Sequence, residues 1–108
     1  MLARIFSAAT FGLESRQIEV EVDVVERSFP TFKIVGLPDK AVEEAKERIR
    51  SAIDNSGTFF PRHKVVINLA PADLPKVGPS FDLPMAVGIL IASGQIPKID
   101  LEKTLILG

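Results

Sequence analysis

Cysteine, tryptophan and tyrosine are absent from the 108 residues of this chain, and histidine occurs once, as His63. Without cysteine there is no disulfide framework, zinc ribbon or thiol chemistry, a usage that suits a reducing compartment. Seven Phe are the only aromatic residues, so the core has to be largely aliphatic. An excess of positive charge is missing too. Thirteen Lys and Arg stand against 14 acidic residues, so no global field draws the chain to a phosphate backbone, and any nucleic-acid contact has to be local or shared. No run approaches the roughly 18 unbroken apolar residues of a membrane span, and no signal-peptide pattern opens the chain. The expectation is a cytoplasmic protein with no membrane partner. Gly-x-x-x-x-Gly-Lys-Ser/Thr is absent, which excludes a nucleotide triphosphate held in the P-loop manner by these residues, and so is the Gly-x-Ser-x-Gly elbow.

What is present is ordinary globular composition, 46% hydrophobic and 25% charged. Its length predicts one domain over residues 1–108. Met1 to Phe11 reads as a first strand, ended by Gly12. Gln17 to Glu26 alternates most cleanly, with Ile18, Val20, Val22 and Val24 on one face and Glu19, Glu21 and Asp23 on the other. The sheet is therefore antiparallel or mixed and covered on one side. Carboxylates two apart on a strand sit side by side without converging, so this row reads as a solvated face and not as a metal site. Phe29 to Val35 is the next strand, expected to form a hairpin with the one before it.

Gly36-Leu37-Pro38-Asp39 turns the chain into a helix whose buried stripe is Val42, Ala45, Ile49, Ala52 and Ile53, closed by Asn55-Ser56-Gly57. Acidic residues come early and basic ones late in this helix, as its dipole prefers, and Glu44 is placed to pair with Arg48. Arg48 and Arg50 read as a charged helix back, with phosphate or interface contact as the sharper alternative. Arg62-His63-Lys64 is the densest basic triplet and the candidate for nucleic-acid contact; His63 itself reads as a strand-edge residue. A strand over His63 to Leu69 and an apolar helix from about Ser80 to Ser93, buried on most sides and stopped by Gly94, complete the pattern. Thr104 to Leu107 reads as a further strand.

Between that strand and helix, Asn68 to Pro84 holds Pro71, Pro75, Gly78, Pro79 and Pro84, punctuation that prescribes a backbone path. Ser80 stands at the loop-to-helix junction, where free amides would suit an oxyanion. A serine needs a base, and neither Lys76 nor Lys98 is compellingly spaced, so the plainer reading of Ser80 is an N-cap worth roughly 1 kcal/mol.

Val35-Gly36-Leu37-Pro38-Asp39-Lys40-Ala41-Val42, Glu47-Arg48-Ile49-Arg50-Ser51-Ala52 and Asn68-Leu69-Ala70-Pro71-Ala72-Asp73-Leu74-Pro75-Lys76 resemble the N-terminal domain of the ComM/YifB family, the magnesium-chelatase-like AAA+ ATPases. The resemblance covers the whole chain. It implies an α+β domain of ribosomal protein S5 domain 2-like fold, similar to the Lon proteolytic domain, with a mixed sheet and two helices on one face. It implies that the chain is the front part of a longer protein, with ATP and magnesium held by a downstream AAA+ domain and no cofactor or metal in these residues. The partners it implies are that AAA+ domain, copies of itself in a hexameric ring, and DNA, in processing such as branch migration during natural transformation. Magnesium insertion into porphyrin is not implied. The family motif loop maps to Asn68, Pro71, Asp73, Lys76, Gly78, Ser80 and Asp82. Gly78-Pro79-Ser80 also resembles the surroundings of Lon's catalytic serine, while Phe81-Asp82 departs from the small residues that follow it there. The expectation is a non-catalytic domain; the alternative is a Lon-like Ser-Lys peptidase domain whose lysine lies outside the chain. A stand-alone RNA-binding module of S5-like fold is disfavoured by the acidic balance.

Overall fold

The computed structural model describes residues 1–11, 13–71 and 81–97. Its elements run β1 (Leu2–Phe11), β2 (Glu14–Val25), β3 (Thr31–Val35), α1 (Asp39–Asn55), β4 (Lys64–Ala70) and α2 (Asp82–Ala92). Among the described residues this is an α+β arrangement, a four-stranded mixed sheet with two helices. The proposed strand over Thr104 to Leu107 lies outside the described residues.

Alternation decides the faces. Ile18, Val20, Val22 and Val24 are all buried, as are Ala3 and Ile5 of β1, Val65, Ile67 and Leu69 of β4, and Phe32 and Ile34 of β3. These inward rows merge with Ala45, Ile49 and Ile53 of α1 and Met85, Ile89, Ile91 and Ala92 of α2 into one core, so both helices lie on the same face of the sheet. The outward row of β2 is met by Arg4 across the β1–β2 ladder: its Nε lies 2.6 Å from Glu19 and its Nη2 3.3 Å from Glu21. Among the described residues no group of three or more His, Cys, Asp or Glu is placed to hold a metal.

The strand order is β1-β2-β4-β3, and this corrects the expected hairpin between β2 and β3. Strand β4 inserts between them, antiparallel to β2 and parallel to β3. Alternation reports which face a residue takes and is silent on which strand lies beside it. The link from β3 to β4 runs through a 17-residue helix, and such a crossover returns the chain parallel to its start. The turn into that helix is set by Gly36 at φ 103°, where a Cβ would stand 2.4 Å from the carbonyl oxygen of Leu69. Only glycine supplies both the conformation and the clearance.

The α1 stripe is shorter than its periodicity predicts. Val42 is half-buried and Ala52 is exposed, because α1 lies at the margin of the sheet, against β3 and α2. Helix α2 begins at Asp82 behind Phe81, two residues later than expected, and neither helix has a side-chain cap. Gly57 and Gly94 end the two helices with φ of 79° each, as expected of C-terminal stops. Within α2, Gly88 brings the helix close to the sheet: a Cβ there would meet Val22 Cγ2 at 2.6 Å.

Candidate functional site

Among the described residues, two places gather the chemistry-bearing side chains. The first is the junction of the two helices, which includes Asp82 of the motif loop. Arg48, in mid-α1, donates from Nε to Asp82 Oδ2 at 2.6 Å and from Nη2 to Oδ1 at 3.2 Å, a two-point clasp of the first turn of α2. Helical spacing predicts Glu44 as the partner of Arg48, and the structure corrects this: the fork matches a carboxylate facing it across the interhelical seam, and Glu44 acts on it only through its field. The hydrogen bond to Asp82 is the largest influence holding Arg48's pKa above its ordinary value, opposed by desolvation and assisted by the charges of Asp82 and Glu44. The stabilisation is fully present below arginine's ordinary pKa and is lost only as pH rises through the raised one. Glu44, Glu47, Arg48 and Ser51 line a shallow depression of ≈ 540 Å³ here.

Of the motif loop, Asn68 is exposed on β4, opposite Glu21 and Val35. Pro71 is half-buried and follows a cis peptide bond. Asp73, Lys76, Gly78 and Ser80 lie outside the described residues, as does Lys98. Phe81 and Asp82, next after Gly78-Pro79-Ser80, are both engaged: Phe81 is in the core at 3% exposure, and Asp82 is clasped by Arg48.

The second place is the segment between α1 and β4, where the structure divides the basic triplet. Arg62 and His63 face a half-open pocket of ≈ 550 Å³ with Asp54, Phe59 and Phe60. Lys64 is exposed on the ladder, in register with Val25 and Thr31. Sequence reasoning missed the aromatic part of this pocket. Phe60 packs on Phe32 with ring centroids 4.8 Å apart, and the Arg50 guanidinium sits over both rings at 5.2 and 5.4 Å. So Arg50, expected on a charged helix back, lies against aromatic rings. Its neighbour Phe59 stays 63% exposed. The one available signal was the pair itself, since adjacent residues in an extended segment point opposite ways.

Among the described residues, a mixed sheet with both helices on one face, an ion pair clasping those helices and a basic aromatic pocket at the segment entering β4 define an α+β domain. Comparison with known proteins places it further. The family described as subunit ChlI of Mg-chelatase matches residues 20–108. The chain is 44% identical over 102 residues to the competence protein ComM of Haemophilus influenzae, covering 94% of this chain and 20% of that protein. It is 46% identical over 107 residues to YifB of Salmonella typhimurium and 43% over 107 to YifB of Escherichia coli, in each case 99% of this chain and 21% of the relative. The chain belongs to the Mg-chelatase subunit ChlI family, as the N-terminal domain of its ComM/YifB proteins. It spans about a fifth of the length of these curated relatives. Among the described residues, no helix is long and apolar enough to cross a membrane.

Proposed function

We propose that residues 1–108 form a single non-catalytic domain of ribosomal protein S5 domain 2-like, Lon-like fold. It serves a ComM-type AAA+ ATPase that processes DNA, as in branch migration during natural transformation. The observation that carries this reading is the 44% identity to a competence protein in an alignment covering 94% of the chain. ATP and magnesium are assigned to a downstream domain of the parent protein, which works as a homo-oligomeric ring, a hexamer, in the cytoplasm. DNA is engaged through the parent, with Arg62, His63 and Lys64 as this domain's contribution. Asn68, Pro71, Asp73, Lys76, Gly78, Ser80 and Asp82 form a structural and interface loop.

The engagement of Phe81 and Asp82 supports the non-catalytic part. A buried phenylalanine and a clasped carboxylate directly after Ser80 leave those two residues committed to the fold, and the reading gives Ser80 no base. The test is the full-length protein treated with a serine-reactive phosphonate, with ATPase activity followed as DNA is added. We expect DNA-stimulated ATP hydrolysis and no labelling. Labelling that disappears in Ser80→Ala would replace the reading with the Ser-Lys peptidase, and ATP hydrolysis indifferent to DNA would remove the DNA-processing part.

A further inference from the structure

The pocket between α1 and β4 holds an aromatic ring that the fold keeps out of its core while fixing the backbone that carries it. Phe59 is 63% exposed. Its backbone is gripped by Gln95 from beyond α2: Phe59 N–H donates to Oε1 at 3.0 Å, and Nε2 donates to the Phe59 carbonyl at 2.7 Å. On either side, Thr58 Oγ1 donates to the Ile53 carbonyl at 2.6 Å, and Phe60 N–H donates to Asp54 Oδ1 at 3.3 Å. Four hydrogen bonds thus position a short segment whose most prominent side chain faces solvent. An exposed ring on a floppy loop would give up backbone entropy on binding, whereas this one stands on a backbone that is already ordered.

The surroundings select the ligand. Arg62 and His63 share the pocket with Phe59, and Arg50 lies behind it on the Phe60 ring. Asp54, the acidic group among the described lining residues, accepts the Phe60 amide at Oδ1, and its negative charge sets the limit on the pocket's positive character. Phe29, 84% exposed, lies two residues before Thr31, which pairs with Lys64 at the start of the ladder. Ser28 Oγ accepts from Lys64 N–H at 3.0 Å, which ties the Phe29 turn to this end of the sheet. Glu26 and Arg27 of the same turn offset each other in charge. In a chain with formal net charge −1, this end combines Arg62, His63 and Lys64 with two exposed aromatic faces.

The geometry points to a binding site for a single-stranded nucleic acid, with a base stacked on Phe59 and the adjoining phosphate met by Arg62 and His63. The inference rests on the DNA-processing reading and deepens it by naming the form of nucleic acid. A duplex hides its base faces in the stack, whereas a single strand offers them to an exposed ring, and stacking tolerates any sequence because every base has a π-face. Arg62 and the neighbouring Lys64 supply the positive charge for phosphate attraction that the chain as a whole lacks, with His63 beside them as a hydrogen-bonding group.

The test uses the full-length protein and fluorescence anisotropy with a labelled oligothymidylate and, separately, a duplex of the same length. The expected result is tighter binding of the single strand. Phe59→Ala should weaken it about tenfold, within the range one base–aromatic stack provides, while Phe59→Tyr keeps it. Arg62→Ala should weaken binding and flatten its salt dependence. Circular dichroism checks that the variants fold, which the exposure of both side chains predicts. If Phe59→Ala binds the oligothymidylate as the wild type does, the inference fails and the DNA-processing reading stands. If the wild type binds neither probe, both fail. A change in ring assembly by sedimentation with single-strand binding unaltered would make the pocket a protein contact and overturn the inference.

Discussion

Helix α1 buries three of its 17 residues, whereas α2 buries six of 11, and the difference follows from where each lies. Helix α2 packs on β1 and β2 with one side and on α1 with another, so it is covered on most sides and carries one charged residue, Asp82. Helix α1 touches β3 and α2 at the margin and leaves most of its residues exposed, with Arg48 and Arg50 engaged by Asp82 and by the Phe32 and Phe60 rings. A helix covered on most sides specifies the fold, while one covered on a single stripe can present residues to something else. Both candidate places lie on the α1 side of this division: Arg48 reaches from α1 to Asp82, and the Phe59 pocket opens where α1 ends. The contrast between a committed helix and a presenting helix makes quantitative demands.

The largest effect is expected at the sheet-facing centre of α2. Ile89 is fully buried, and Ile89→Ala should cost about 3 to 4 kcal/mol in urea unfolding, from lost transfer energy plus an uncollapsed cavity. A loss under about 1 kcal/mol would mean that α2 is not the committed helix. Smaller is the effect of adding an atom. At Gly88 the new methyl of alanine would stand 2.6 Å from Val22 Cγ2 and 3.3 Å from Ile5 Cδ1. Valine is stiff at χ1, so the strain of about 1 to 3 kcal/mol should outweigh the roughly 1 kcal/mol gained from helix propensity. Gly88→Ala should therefore lower the thermal midpoint; a rise would show that α2 can lift from the sheet.

Smallest is the clasp between the helices. A double-mutant cycle with Arg48→Ala and Asp82→Ala should return a coupling of about 0.5 to 1 kcal/mol, since both groups are partly exposed to solvent, and added salt should reduce it. Zero coupling at low salt would leave α1 held to α2 by apolar contact alone and would blur the contrast.

Much of this arrangement was legible in the residues. The alternation of β2, the glycine stops of both helices, the break before Asp39 and the apolar density of α2 all stand where periodicity and turn chemistry place them. What escaped was relational. The basic triplet reads as one patch, yet Arg62 and His63 enter the pocket with Phe59 while Lys64 belongs to the ladder, because the strand begins at Lys64 and its alternation takes over there. Phe59 and Phe60 are chemically identical in the sequence. Only the place of Phe32 and Arg50 around Phe60 separates a packed ring from a presented one.

By itself the sequence determined the repeating features: which residues alternate, where helices can start and must stop, the aliphatic core, and the family motifs. These depend on the geometry of a few consecutive residues, so they can be read locally. The tertiary structure alone decided that β4 lies between β2 and β3, that Arg48 answers Asp82 across 34 positions of sequence, and that Gln95 fixes Phe59 from 36 positions away. Each of those depends on chain segments brought together by burial of the shared apolar face. That burial is non-directional and favours contact between the apolar rows without encoding the polar partners, which are set by where the packed backbones place them.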